Sequence, residues 1–179
     1  MNDELNRIRR LHIGGREVKE GWEILDALPA DYVNHLGDAT DLSYFPDCTF
    51  AEIYASHVLE HFDYKDELAR VLREWRRVLI PAGRLYISVP DMERLCHMYL
   101  TPRLGRDVRI QIMRMLFGGH MDQYDYHQVG LDQGHLTHLL QVAGFHSIER
   151  VQNFDLFRRD SSSMEMLGMP ISCNMIATR

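Results

Sequence analysis

Only five residues, Arg16 to Glu20, separate Gly15 from Gly21. Short apolar stretches flank this gap: Leu11 and Ile13 run into Gly14-Gly15, and Trp22, Ile24 and Leu25 run out to Asp26. A strand, a glycine turn and a second strand ending on a carboxylate outline the start of a nucleotide-binding α/β sheet. Parallel neighbours are normally joined by a crossover of a dozen residues or more, usually a helix. Five residues hold no such helix. The first strands must therefore pair without the helix that would cover them, and a later segment or a partner chain has to supply the cover.

Beyond that point, short β-like runs alternate with helical periods, the pattern of an α/β fold. Strands are predicted near 10–14, 22–26, 32–37, 51–56, 84–89, 146–151 and 171–178. The best-marked helix spans about 65–79, where Leu68, Val71, Leu72, Trp75, Val78 and Leu79 share one face of a 3.6-residue period. Pro81-Ala82-Gly83 then reads as a turn into Leu85-Tyr86-Ile87-Ser88-Val89, closed by Pro90. Further helices are expected at 91–100, 106–117 and 132–143, the last stopped by Gly144. The links 27–31 and 38–47 hold little more than a turn, so one end of the sheet is short of helices. No repeat or boundary interrupts the chain, and residues 1–179 read as one domain. The serines at 161–163 sit in a polar loop, and the Met-rich stretch 163–172 is expected to complete the core or cover a pocket.

With 179 residues, 45% hydrophobic and 26% charged, the chain can bury one core of ordinary size. A net charge of −6 argues against nucleic acid or an anionic membrane as a partner. The opening MNDELNRIRR has no apolar signal region, and no run approaches the roughly 18–20 apolar residues of a membrane span. Cys48, Cys96 and Cys173 are odd in number and far apart, which does not make a disulfide framework. The expectation is a reduced, cytoplasmic protein.

The candidate chemistry gathers at strand ends. Glycines such as Gly14 and Gly15 let a ligand approach the backbone, and a carboxylate at Asp26 can accept two ribose hydroxyls. Asp38, in Gly37-Asp38-Ala39-Thr40, closes the third strand at the same edge, where open α/β sheets bind ligands. Taken together, these segments resemble the class I S-adenosylmethionine-dependent methyltransferases, most closely the small bacterial type 11 branch with its shortened first crossover. The likeness rests on Leu11-His12-Ile13-Gly14-Gly15-Arg16, on Gly21-Trp22 with Asp26, and on His57-Val58-Leu59-Glu60-His61. It continues in Arg77-Val78-Leu79-Ile80-Pro81-Ala82-Gly83, where one family glycine is replaced. It is close over residues 10–95 and looser through 117–127, 139–145 and 170–177.

The resemblance implies a Rossmann-like methyltransferase sheet of order 3-2-1-4-5-7-6, with reduced helices around the first three strands, and S-adenosylmethionine as cofactor. Gly14 and Gly15 would line its methionine and adenosine side, and Asp26 would take the ribose hydroxyls. Asp38 and the backbone of Ala39 would face the adenine edge, with Ser56 and His57 beside the methionine. Arg16 replaces the last glycine of the loop, and its guanidinium is a good partner for the methionine carboxylate. The implied activity is methyl transfer to a small-molecule or glycan-type acceptor. Arg16 also motivates an alternative, a non-catalytic module that keeps the fold for interactions. A homodimer stays open.

His57 to His61 also matches H-x-x-E-H, an inverted zinc-hydrolase signature. No metal is expected there. The segment ends a β-like run, the helical pattern begins only near Tyr64, and a third ligand would have to be Glu149 or Glu165. On the acceptor side, residues 118–127 crowd glycines, acids, phenols and imidazoles into one loop. His127, beside Tyr126 and Asp125, is the candidate catalytic group at the mouth of the cofactor pocket. An unperturbed imidazole pKa near 6.5 suits proton removal at neutral pH, with Asp125 or Asp122 to orient the ring.

Overall fold

Leu11 and Ile13 point to one face of their strand and His12 to the other, and this alternation divides the molecule into layers. The computed structural model describes residues 8–179. Its parallel strands are β1 (Arg10–Ile13), β2 (Trp22–Asp26), β3 (His35–Leu36), β4 (Phe50–Ser56) and β5 (Leu79–Pro90). Then come β6 (His146–Val151), a small hairpin of β7 (Glu165–Met166) and β8 (Met169–Pro170), and β9 (Ser172–Thr178). The main sheet runs β3-β2-β1-β4-β5-β9-β6, with β9 antiparallel to both neighbours. Counted without the hairpin, that is the order 3-2-1-4-5-7-6 that the resemblance implied. The helices are α1 (Glu67–Val78), α2 (Met92–Tyr99), α3 (Arg106–Phe117) and α4 (Gln133–Val142).

Two strands depart from expectation. β3 keeps only two residues of the expected six, because the Asn34 side chain, and not a ladder carbonyl, accepts from the Ile24 N–H at 2.8 Å. β5 begins directly at the end of α1, and a register shift opposite Phe50–Glu52 absorbs Pro81-Ala82-Gly83 as an irregularity inside the strand. Ala82 there has φ 61°, the left-handed region that favours glycine, and it is the position where the family glycine is replaced.

One face of the sheet carries the main core. Leu68, Val71, Leu72, Trp75 and Val78 of α1, with Leu136 and Leu140 of α4, pack on Leu11, Ile13, Ile53, Leu85 and Ile87. Among the described residues, no helix covers the opposite face over its first strands. Trp22, Tyr54 and Tyr86 are covered there by Phe157, with Phe154 and Leu156 beside it. Asp160 holds this covering segment in place: its carboxylate accepts from the Tyr54 hydroxyl and from the backbone N–H groups of Leu156 (3.1 Å) and Ser162 (2.9 Å). The cover that the short first link denies is thus supplied from residues 152–163. The Met-rich stretch joins a third cluster, Met164 and Met166 packing with Leu95, Met98 and Ile112 of α2 and α3.

His12 lies in the helix-free layer, edge-on to Tyr54 and 4.2 Å from the Phe157 ring centroid. Its Nδ1 is buried without a hydrogen-bond partner among the described residues, and burial pushes its pKa down to about 4. Between that value and the unfolded value near 6.5, the unfolded chain binds a proton that the folded chain refuses. Stability should therefore fall as pH drops through this window, by about 2 kcal/mol from pH 7 to pH 5. Urea midpoints at the two pH values check this. His12→Asn should flatten the dependence, and an unchanged slope in that variant would show that other groups carry it.

Candidate active site

Four parallel strands deliver their carboxyl ends to one cleft of about 740 Å³. Gly14 follows β1 with φ 69°, and a Cβ there would lie 2.8 Å from Val58 Cγ2, so the turn admits only glycine without rearrangement. The same residue donates its N–H to Leu25 O at 2.8 Å, tying the turn to β2. Asp26 and Asp38 close β2 and β3 on the cleft wall. Each uses one carboxylate oxygen to accept a backbone N–H two residues on, from Leu28 and Thr40, both at 2.8 Å. Among the described residues, the other oxygen of each has no hydrogen-bond partner. Ala39 is fixed from behind, where Trp75 Nε1 donates to its carbonyl at 2.8 Å. Arg77 clamps the same link by donating to Leu42 O and Phe45 O, both at 2.9 Å, while Glu74 and Asp47 hold its pKa above the usual value.

Gly14, Arg16, Asp26, Asp38, Ala39 and His57 all line the cleft. Arg16 is exposed and stands at its lip, shared with a shallower hollow formed by Lys19, Arg158 and Arg159. Gly15 and Ser56 are not on the lining. Gly15 is buried, and a Cβ on it would meet the His12 ring at 2.6 Å, so its smallness makes room for that imidazole. Ser56 turns to the other face of the sheet and shares a 2.6 Å hydrogen bond with Ser161.

The loop 118–127 folds over the same cleft. Tyr126 and Asp125 line it, and the Tyr126 ring stacks on His120 at 4.0 Å. The Asp125 carboxylate closes its own loop by accepting from Met121 N at 3.1 Å. Burial would raise its pKa, but the N–H groups of Met121 and Gly119 outweigh this and hold it low. His127 stands behind the lining, near the end of β4, with its N–H bonded to Phe117 O. Neither Asp125 nor Asp122 orients its ring. The facing carboxylate is Glu60, whose Oε1 lies 3.9 Å from His127 Nε2.

Glu60 is the residue that sequence reasoning undervalued. The segment 57–61 is not a helix: His57 follows β4 at φ 56°, and Leu59–His61 make a single 3₁₀ turn. The paired-histidine helix face that a zinc hydrolase needs is therefore absent, and Glu149 and Glu165 lie in β6 and β7, outside this cluster. The turn drives the Glu60 side chain inward until the residue is 1% exposed. His57 Nδ1 lies 3.3 Å from Oε1, close enough for an ion pair but not aligned as a hydrogen bond, and neither carboxylate oxygen has a hydrogen-bond partner among the described residues. Burial pushes this carboxyl up, yet His57 and His61 outweigh it and keep its pKa below the usual value. His127 is pushed down by burial against the pull of Glu60.

Comparison with known proteins bears on the fold. Residues 16–87 match a family model described as a methyltransferase domain. No curated protein matches the sequence. Among solved structures, the chain is similar to a SAM-dependent methyltransferase from Archaeoglobus fulgidus, at 16% identity and TM-score 0.60, over 97% of this chain and 87% of that one. A SAM-dependent methyltransferase from Thermotoga maritima, described as a possible histamine N-methyltransferase, aligns at 18% identity and TM-score 0.55, over 95% and 81%. The 1,6-didemethyltoxoflavin-N1-methyltransferase of Burkholderia thailandensis, solved with 1,6-didemethyltoxoflavin and S-adenosylhomocysteine, aligns at 15% identity and TM-score 0.56, over 98% and 73%. Identities this low speak to fold. The described chain has the fold of the class I S-adenosylmethionine-dependent methyltransferases, and the methyltransferase-domain pattern runs through its residues 16–87.

Proposed function

We propose that this protein transfers a methyl group from S-adenosylmethionine to a small-molecule or glycan-type acceptor. The observation that carries this is the convergence of Gly14, Asp26, Asp38 and His57 on one cleft at the carboxyl edge of four parallel strands. The residues suit the cofactor: a glycine turn with no room for a Cβ, two carboxylates with an uncommitted oxygen each, and a guanidinium at the lip. When bound, S-adenosylmethionine supplies an electrophilic methyl group on a sulfonium.

The chain's own part is to bind and to orient. Asp26 accepts the ribose hydroxyls, and Asp38 with the Ala39 backbone borders the adenine. Gly14 and His57 flank the methionine, and Arg16 pairs with its carboxylate. Gly15 and Ser56 act from behind, the one by admitting the His12 ring, the other by fixing the end of β4 to Ser161. Tyr126 and Asp125 form the acceptor wall. The exposed rings of Tyr124 and Tyr126 suit a ring-bearing molecule or a sugar. His127, set back behind Tyr126, serves the acceptor from the second layer. Holding the nucleophile in line and excluding water supplies most of the rate. A reduced, cytoplasmic setting fits three cysteines that are all unpaired. No helix among the described residues is long and apolar enough to cross a membrane.

Calorimetric titration with S-adenosylhomocysteine tests the reading. One molecule should bind per chain. Absence of binding at millimolar ligand would sink the enzyme and leave a non-catalytic module that keeps the fold for interactions.

A further inference from the structure

The 3₁₀ turn after β4 and the returning acceptor loop bring together residues far apart in the sequence. Glu60, His61 and His127 each present a donor atom, and these atoms lie within 4.8 Å of one another. At their centre is a carboxylate that is almost wholly buried and has no hydrogen bond to either oxygen among the described residues. A buried carboxylate without hydrogen bonds is costly; His57, 3.3 Å from Oε1, is close enough for an ion pair, and a metal ion would add a cation bonded directly to the carboxylate. The His61 ring is already oriented. Its Nδ1 lies 3.1 Å from Tyr126 O, and a carbonyl only accepts, so Nδ1 is the donor there and Nε2 is the nitrogen left to serve as a ligand. That is the arrangement typical of a metal-bound imidazole, whose second nitrogen donates to a backbone carbonyl.

We propose, against the expectation from the sequence that no metal sits at His57–His61, that Glu60, His61 and His127 bind one divalent transition-metal ion at the inner wall of the cofactor cleft. Two imidazoles and one carboxylate grouped on one side leave positions open on the other, a donor set suited to zinc, manganese, iron or cobalt. Metal–ligand bonds of about 2.0–2.2 Å require the three donor atoms, now within 4.8 Å of one another, to draw inward around the ion. The open positions face the cleft, since His61 and His57 line it while Glu60 and His127 lie behind. There the ion would take an oxygen of the acceptor as a ligand and lower the pKa of its hydroxyl. That second role rests on the methyl-transfer reading. The metal site does not.

The test uses chelator-treated protein titrated with Mn²⁺, Co²⁺ and Zn²⁺, read by calorimetry and, for Co²⁺, by its visible absorption. One ion should bind per chain. His61→Ala and His127→Ala should each weaken binding at least about 100-fold. His135→Ala, which removes an exposed imidazole beside Asp132 on α4, should leave it within about twofold. Glu60→Gln should abolish binding in protein that still melts cooperatively, and the two histidine variants decide the matter if it does not fold. No ion bound to the wild type at millimolar metal would overturn the proposal, as would wild-type affinity in both His61→Ala and His127→Ala. Titration with S-adenosylhomocysteine in the same samples separates the two readings: metal without cofactor binding upholds the site and removes the enzyme, and the reverse removes only the site.

Discussion

Trp75→Ala should lower the free energy of unfolding by about 3–5 kcal/mol. The indole is fully buried in the centre of the α1 face, within ring contact of Phe62, so truncation opens a cavity in the main core. It also removes the N–H that holds the Ala39 carbonyl. A domain of this size has only about 5–15 kcal/mol in all, so the variant should unfold at much lower urea. Trp75→Phe separates the two losses. It keeps most of the volume but not the N–H, and about 1–3 kcal/mol should remain as the cost of the orphaned carbonyl. Urea unfolding followed by circular dichroism measures both. A Trp75→Ala protein within 1 kcal/mol of wild type would mean that the neighbours collapse into the space.

Trp75 also marks what could be read in the sequence. The helix around it was legible because Leu68, Val71, Leu72, Trp75 and Val78 repeat with one period and all turn out buried. The order of the sheet came through likeness to a family, since the periodicity of single strands says nothing about their neighbours. β3 was overdrawn because the Asn34 side chain takes the Ile24 N–H that a ladder carbonyl would accept, so only part of its backbone pairs with β2. The irregularity at Pro81-Ala82-Gly83 looked like a turn because its residues are turn formers wherever they occur. In the site, Asp26 and Asp38 were legible because each directly ends a strand. The meeting of Glu60 with His127 was not, for no local pattern links a 3₁₀ turn to a loop that returns after three further helices. The aromatic lid of Phe154 and Phe157 was hidden for the same reason.

Asp26→Ala should weaken S-adenosylhomocysteine binding by tenfold or more while leaving the fold intact. Hydrogen bonds from two hydroxyls to one carboxylate are worth about 1.5–3 kcal/mol each, so a loss nearer 100-fold would be unsurprising. The structural role of the side chain is small by comparison: one bond to the Leu28 N–H in an exposed turn. Melting temperature should therefore move little while the dissociation constant moves far. Asp26→Asn adds a finer reading, because it keeps an acceptor oxygen and loses the charge. Its affinity should fall between the other two. Equal affinity in all three proteins would remove Asp26 from the ribose.

The aromatic layer over the first strands sets an order on biosynthesis. Trp22, Tyr54 and Tyr86 are all made before the residues that shelter them, because Phe154, Leu156 and Phe157 come much later in the chain. At about 5–20 residues per second, the ribosome needs on the order of ten seconds to travel from Tyr86 to Phe157. During that interval the nascent sheet shows a ring-lined face to solvent, the kind of surface that holding chaperones grip. The strands that carry Gly14 and Asp26 are thus the first to be translated and among the last to be finished.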